Sequence, residues 1–531
     1  MNESFHKLTL KYIFLVVFGL ILALTLNPDS KIFLNFFCLI PFFWWNEKVS
    51  SDRKYLLYVF TILVFWNVGA LFWIVKINWS AAIIIYLLNP IFQIIPFVFL
   101  RILKNKSYDL LSFISSWLAV EYIQQLGEFA FPYLILGNSL ANYPFFIQFY
   151  EYAGVLGGSL LILLLNIQFY LLFKQLNKKG LKSKKTLMRV ILITLTLIFP
   201  VSIGFKLYHP EINENKKTTV RAIHPYVDVR GEKYDLSNQE LMRLYIRLSF
   251  TGKEKTTPDY IIWPETSIKD GGWSNNLNNN HSISLIIDSL KSKESINIIT
   301  GAVIYEVVPS NPEKNANVRY DPQSDVYYKT YNSVLGIGST GVNNLKVKDK
   351  LVPVEEKIPF DGKFHFLRKI VPSLGKYTFS SRRINQSTFK FQSDRILPLI
   401  CFESLFSNYV GRNVKSGVGA IFIIINEGWF DNEFASNQFT AFGKVRAVEN
   451  RKWIVRSSNF GTTNFINPQG IEEISLKSTN KDYIQSSIYL NYQKTFFNRI
   501  GIYLGDIALY STFILILVSI INYILTKPTK S

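Results

Sequence analysis

Apolar positions gather in long unbroken stretches at both ends of the chain and in short alternating runs between them. A helix that crosses a bilayer needs about 20 mostly apolar residues. Stretches of this kind lie near 9–27, 32–46, 55–75, 80–103, 108–126, 154–173 and 187–207, with one more near 501–525. The pattern predicts a multi-pass α-helical membrane domain of about eight transmembrane helices: seven in 1–207, then a hydrophilic domain over 208–495, then an eighth in 496–531. The second stretch is short, as in a tilted or partial span. The first is not a cleavable signal, because no small-x-small site follows it and another apolar stretch comes at once.

From about 218 to 490 the period changes. Short β-branched runs read as strands at Thr219–His224, Tyr260–Trp263, Ile296–Tyr305, Ser333–Ile337, Ile396–Cys401, Ala420–Asn426 and Trp453–Ser457. Amphipathic patterns at Ser237–Phe250, Ser282–Lys293 and Asn437–Asn450 read as helices. The alternation predicts an α/β or α+β domain around a mostly buried sheet. Asn275–Asn280 and Pro309–Ser324 read as loops.

Composition agrees with membrane segments: 49% hydrophobic and 15% aromatic residues, with mean hydropathy +0.16. The net charge of +20 is partly a topology signal. Starting from Lys7 and Lys11 inside, alternate loops are basic: Lys48, Arg53 and Lys54; Arg101, Lys104 and Lys106; then Lys174, Lys178, Lys179, Lys182, Lys184, Lys185 and Arg189. The tail with Lys527 and Lys530 falls on the same side. This bias orients the helices and puts 208–495 outside the cytoplasm. Basic residues that crowd helix-flanking loops, rather than one face, argue against a nucleic-acid partner. Two cysteines cannot supply a zinc site of the usual kind.

Three segments carry candidate chemistry. Arg395–Ser404 runs apolar into Cys401, whose only possible disulfide partner, Cys38, lies deep in an apolar stretch. Tyr260–Glu265 is an apolar strand ending in a carboxylate. Lys348–Pro353 sets a lysine before an apolar turn. Glutamate, lysine and cysteine together make a nucleophile with a base and a cation to activate it. Asn426 also ends a strand, where clefts form in open sheets. Glu121, inside an apolar stretch, is expensive to bury and is a weak functional hint. The aromatic, Pro- and Gly-interrupted segment Gly127–Gly154 fits either an interfacial loop or a packed connection between helices. Glu121 alone, without paired broken helices, is poor support for a transporter.

Trp263-Pro-Glu-Thr266, Lys348-Asp-Lys-Leu-Val-Pro-Val-Glu-Glu356, Ile400-Cys-Phe-Glu403 and Asn426-Glu-Gly-Trp-Phe430 occur in that order. They are followed by Arg446-Ala-Val-Glu449, Arg456-Ser-Ser-Asn459, Asn467-Pro-Gln-Gly470 and Arg499-Ile-Gly501, and preceded by Phe131-Pro-Tyr-Leu134 and Gly137. This ordered set resembles the nitrilase superfamily. With the helices counted, nearly the whole chain resembles its membrane-embedded branch, the apolipoprotein N-acyltransferase family. The resemblance implies an αββα sandwich for 208–495 and a catalytic triad of Glu265, Lys348 and Cys401. It implies supporting or substrate-proximal roles for Glu356, Phe402, Glu403, Tyr234 and Asn426, with Glu403 also able to orient Lys348. The activity it implies is ping-pong transfer of an acyl chain from a phospholipid, through a cysteine thioester, to the α-amine of a diacylated apolipoprotein. No cofactor or metal is implied. The implied setting is the bacterial inner membrane, with cytoplasmic termini, a periplasmic catalytic domain and a monomer. The alternative is a membrane-tethered amidase or hydrolase using the same triad with water. The chain departs from the family's pattern in Phe402 for tyrosine, Glu355 for glycine, Lys346 for an aromatic and Gln438-Phe439 for glutamine-histidine.

Overall fold

The computed structural model describes residues 2–26, 32–104, 106–128, 130–180, 183–208, 216–252, 254, 256–309, 318–357, 379–381 and 387–526, with the backbone alone at 2–11, 178, 179, 234, 523 and 526. Phe129, Lys182, Lys527, Lys530, residues 310–317 and the side chains of Lys7, Lys11, Lys178, Lys179 and Tyr234 lie outside the described residues. The chain divides into two compact units: Met1–Phe72, Ala82–Tyr208 and Ile500–Ser531 form one, and Trp73–Ala81 with His209–Arg499 form the other.

Four helices among the described residues are long and apolar enough to cross a membrane, three in the first unit and one that enters it at Ala82: Tyr150–Asn177, Lys184–Leu207 and Tyr503–Asn522, and Trp79–Ile102. The expected count of eight is not reached on this measure. Tyr12–Leu26 is shorter, Asp52–Ala70 opens on three charged residues, and Asp109–Ile123 has 15 residues. The stretch at 32–46 breaks into a 3₁₀ turn, Ile32–Phe36, and a nine-residue helix, Ile40–Lys48, with proline in its first turn.

Two buried charged side chains in this unit, Arg101 and Glu121, have partners, as a low-dielectric interior requires. The Arg101 guanidinium donates to Asp52 at 2.6 Å and to the carbonyls of Asn46, Val49 and Ser50 at 2.7, 2.8 and 2.8 Å. Glu121 accepts from Trp117 Nε1 at 2.9 Å and from the backbone N–H of Leu136 at 2.8 Å. The hint of function at Glu121 thus has a structural answer: it holds the 3₁₀ turn Leu136–Leu140. Ala130–Ala141 are buried, so this part of the Gly127–Gly154 segment is a packed connection.

Among the described residues the second unit is built on thirteen strands: β1 (Lys217–His224), β2 (Tyr260–Ile262), β3 (Asn297–Val308), β4 (Val318–Asp321), β5 (Val326–Gly338), β6 (Gly341–Val347), β7 (Phe389–Phe391), β8 (Asp394–Ile400), β9 (Ala420–Ile425), β10 (Trp453–Ser458), β11 (Thr463–Ile466), β12 (Glu472–Leu476) and β13 (Asp482–Tyr489). One sheet runs β13-β1-β2-β3-β5-β4 with β6 on β5; the other runs β12-β11-β10-β9-β8-β7. All seven predicted strands are present. The reading of Pro309–Ser324 as loop is corrected at β4, where Val318–Asp321 pair with β5. A polar, exposed edge strand carries no apolar alternation to reveal it.

Strands buried on both faces explain the layering. In β9, Ala420, Phe422 and Ile424 face the core between the sheets with Val220, Ile262 and Ile400. Ile421 and Ile423 face the other way, toward Val410, Val414 and Ala447 of helices Ser407–Val414 and Glu433–Asn450. Helices Asn238–Phe250 and His281–Leu290 cover the outer face of the first sheet through Leu241, Tyr245, Ile283 and Ile286. The result is four layers, αββα. Trp73–Ala81 joins this unit although it lies between helices of the other. Trp73 Nε1 donates to Gln438 at 3.1 Å, Lys76 Nζ to the Asp431 carbonyl at 2.9 Å, and Asn78 Nδ2 to Glu355 at 3.1 Å.

Candidate active site

Three strand ends of the second unit converge on one charged cluster. β2 ends at Ile262, and Glu265 follows on a turn against β3. Gly301 of β3 has to be glycine: a Cβ there would lie 2.4 Å from Thr266 N and 2.7 Å from both Glu265 Cα and the Pro264 carbonyl oxygen. β6 ends at Val347, leaving Lys348 beside Asn332 of β5, to whose carbonyl its N–H donates at 2.8 Å. β8 ends at Ile400, and Cys401 opens a 3₁₀ turn, Cys401–Leu405, with φ +48°. Such a left-handed non-glycine residue stores strain, which is common at functional turns.

Lys348 Nζ donates to Glu265 Oε1 at 3.0 Å and to Glu356 Oε1 at 2.8 Å. Asn332 Nδ2 donates to the same two oxygens at 2.8 and 3.3 Å. The segment after Lys348 curls back so that Glu356 Oε2 accepts the Val352 N–H at 2.9 Å. Glu356, not Glu355, therefore meets the lysine; Glu355 faces Asn78. Burial alone would lower the Lys348 ammonium, but the charges of Glu265 and Glu356 outweigh it, raise it and keep it protonated. Cys401 is half-buried, and its thiol lies within the electrostatic reach of Glu265, Lys348 and Glu356. Burial pushes it well above the usual thiol range and the Glu265 charge pushes the same way, while Lys348 pulls against both.

The electrostatics have a simple consequence. Two carboxylates already share one ammonium, so a thiolate would be a third negative charge beside a single cation. Moving the thiol proton to Glu265 leaves the net charge unchanged, and this is the low-cost route to a sulfur nucleophile here.

The remaining predicted residues fall around this cluster. Glu403 is fully buried but does not orient Lys348. It pairs with Lys346 and accepts from the backbone N–H groups of Asp349 at 2.8 Å and Ile400 at 2.9 Å, and from the Tyr409 hydroxyl at 3.2 Å. The expectation that it orients Lys348 is thus corrected: Lys346, still on β6, meets it instead, while Lys348, just past the strand's end, turns to Glu265 and Glu356. Phe402 is buried against Phe406, ring centroids 5.0 Å apart. Asn426 lies just past β9, whose Ile424 is in register with Ile400. Its Oδ1 accepts from Asn459 at 3.1 Å, while its buried Nδ2 has no partner among the described residues. Asn332 and Lys346 were missed by sequence reasoning. Asn332 leaves one trace, a polar residue just ahead of a buried apolar run in β5. Among the described residues no group of His, Cys, Asp and Glu side chains could hold a metal ion.

Two family models match the chain: the apolipoprotein N-acyltransferase N-terminal domain over residues 18–168 and carbon-nitrogen hydrolase over residues 240–492. Apolipoprotein N-acyltransferase of Chlorobaculum tepidum is 26% identical over 411 residues, covering 75% of this chain and 74% of its own. Apolipoprotein N-acyltransferase 1 of Treponema denticola is 23% identical and is aligned over 97% of both chains. A Saccharomyces cerevisiae nitrilase-superfamily structure is 14% identical with a TM-score of 0.38, covering 54% of this chain and 95% of that one.

Proposed function

We propose, from the premise that the chain belongs to the apolipoprotein N-acyltransferase family, that it transfers a fatty acyl chain from a phospholipid to the N-terminal α-amine of a diacylated apolipoprotein. The observation that carries the reading is the Cys401 turn set beside Glu265, which shares Lys348 with Glu356, so that the charges of all three act on the thiol.

In the first half-reaction, Cys401 attacks the ester carbonyl as its proton passes to Glu265. Lys348 receives the oxyanion; losing one such donor costs about 2.7–4 kcal/mol of barrier. The intermediate collapses, the C–O bond breaks, and Glu265 returns the proton to the departing lysophospholipid. In the second, the α-amine attacks the thioester and gives its proton to Glu265. The C–S bond breaks, the sulfur is reprotonated, and an amide remains. Glu356 and Asn332 hold Lys348, Glu403 holds the Cys401 turn, and the free Nδ2 of Asn426 is available to the substrates; Tyr234 has the substrate-proximal role that the family resemblance implies. Phe402 packs beneath the nucleophile.

Both substrates carry acyl chains that lose about 0.8 kcal/mol per methylene on leaving a bilayer, which is the physical reason for joining this chemistry to a membrane unit. We read 1–207 as seven spanning helices, 208–495 as the catalytic domain and 496–531 as the eighth helix and tail. The basic loops support an inner-membrane protein with cytoplasmic termini and a periplasmic catalytic domain. Nothing in the reaction calls for a second copy or a cofactor.

The test uses purified protein, phospholipid vesicles and a synthetic diacylated lipopeptide with a free α-amine, followed by mass spectrometry. The expected result is one acyl mass on the Cys401 peptide and then on the lipopeptide amine, both lost in Cys401→Ala. Release of free fatty acid with no amide formed overturns the reading in favour of the hydrolase.

A further inference from the structure

The turn that presents Glu265 is bent at the next residue. Thr266 holds φ at +52°, a left-handed conformation that strains a β-branched residue. Such strain persists only where the surroundings impose it. Behind the turn, Gly301 leaves the space it needs. In front of it, the ammonium of Lys233 donates to the Thr266 hydroxyl at 2.7 Å.

Lys233 is itself held firmly. It is buried, 7% exposed, on the short helix Glu232–Asp235. Its N–H donates to the Asp228 carbonyl at 2.8 Å. Lys269, four residues past Glu265, donates to the carbonyls of Lys233 and Leu236, each at 2.8 Å. The chain around Glu265 and the helix carrying Lys233 thus clasp each other by two lysines, one in each direction. Burial pushes Lys233 down to about 8, and the negative charge that opposes this is that of Glu265. A buried ammonium is costly, and its hydrogen bond here goes to a neutral hydroxyl on the strained residue.

We propose that Lys233 is a positioning residue for Glu265: through the Thr266 hydroxyl it fixes the strained turn that aims the carboxylate at Cys401. The proposal rests on the reading of Glu265 as the base of acyl transfer. Without the clasp, Thr266 relaxes toward an ordinary φ and the carboxylate swings off the thiol. The chemical step then slows while phospholipid binding is untouched.

The experiment is single-turnover acylation of Cys401 by phosphatidylethanolamine vesicles, read by intact mass on the full chain. Lys233→Met and Thr266→Val are each expected to slow acylation by about ten- to a hundredfold, with half-saturating lipid unchanged within about twofold. Thr266→Ser, which keeps the hydroxyl, is expected to stay within about threefold of the parent, and the double variant Lys233→Met/Thr266→Val to be no slower than the slower single one. Acylation by Lys233→Met or Thr266→Val within about twofold of the parent, or effects that multiply in the double variant, overturns the proposal. Where Lys233→Met does not fold, Thr266→Val decides. Glu265→Gln separates the two readings: if it acylates normally the base assignment fails and the proposal with it. If it is inert while Lys233→Met is normal, only the positioning role fails.

Discussion

Lys346 and Glu403 form an ion pair sealed from solvent, their side chains 2% and 0% exposed, two residues along the chain from the lysine that faces Glu265. The two lysines divide the work. Lys348 meets Glu265 and Glu356, and Lys346 neutralises the carboxylate that gathers the N–H groups of Ile400 and Asp349. Glu403 thereby ties the end of β8 to the turn after β6, and so Cys401 to Lys348.

Removing one partner of such a pair strands a charge in the interior. Lys346→Met should destabilise the protein by about 3–5 kcal/mol, read as a lowered midpoint of thermal unfolding. Adding Glu403→Gln should recover part of that loss, because the stranded charge is gone. A double variant less stable than Lys346→Met would show that the pair is not what Lys346 supplies.

At Gly301 the backbone of the Glu265 turn lies where a side chain would begin. Gly301→Ala must push that turn away, at a cost of about 1–3 kcal/mol for overpacking. Its larger effect should be chemical. A displacement of about 1 Å at a catalytic group costs on the order of a hundredfold in rate. Acylation of Cys401 near the parent rate in Gly301→Ala would mean that the turn tolerates the shift.

The charges around the Cys401 thiol predict opposite responses to two substitutions. Lys348 favours the thiolate and Glu265 disfavours it. Lys348→Met should therefore move the pH midpoint of Cys401 alkylation by iodoacetamide upward, and Glu265→Gln should move it downward. Peptide mass spectrometry distinguishes Cys401 from Cys38. Shifts in the same direction would refute this assignment of signs.

Lys452 supplies a pH dependence of stability. Burial and the Lys494 charge push it down from 10.5 to about 7. Between those two values the unfolded chain binds more protons at this side chain than the folded one, so its contribution makes stability rise with pH. Lys452→Met should flatten the slope of melting temperature against pH between about 7 and 9. It should also lower stability at every pH, because the carbonyls of Asn491 and Gln493 lose their donor. An unchanged slope would count against the assignment.

Glu265, Lys348 and Cys401 were legible because each closes or follows an apolar run, where a polar residue stands out. The seven strands were legible for the same reason, and so was the helix from Ser237, whose side chain caps the Glu240 N–H at 3.2 Å. Lys346 and Lys233 were not. A lysine in a polar context reads as solvated, and only the fold reveals the carboxylate or hydroxyl that buries it. Strands β12 and β13 escaped because they mix exposed polar positions into short runs. Four of the eight predicted spans are long apolar helices among the described residues; elsewhere proline or opening charges shorten a helix that hydropathy alone prolongs.

Trp73–Ala81 carries a further lesson about what can be cut from this protein. Residues 208–495 look, by sequence, like a piece that stands alone. Yet that piece would leave behind the indole that packs on Phe430 and the amide that meets Glu355, next to the glutamate that grips Lys348. The catalytic lobe is thus stitched from two distant stretches of chain. A shortened soluble version needs the nine-residue strap grafted back to keep its reactive corner intact.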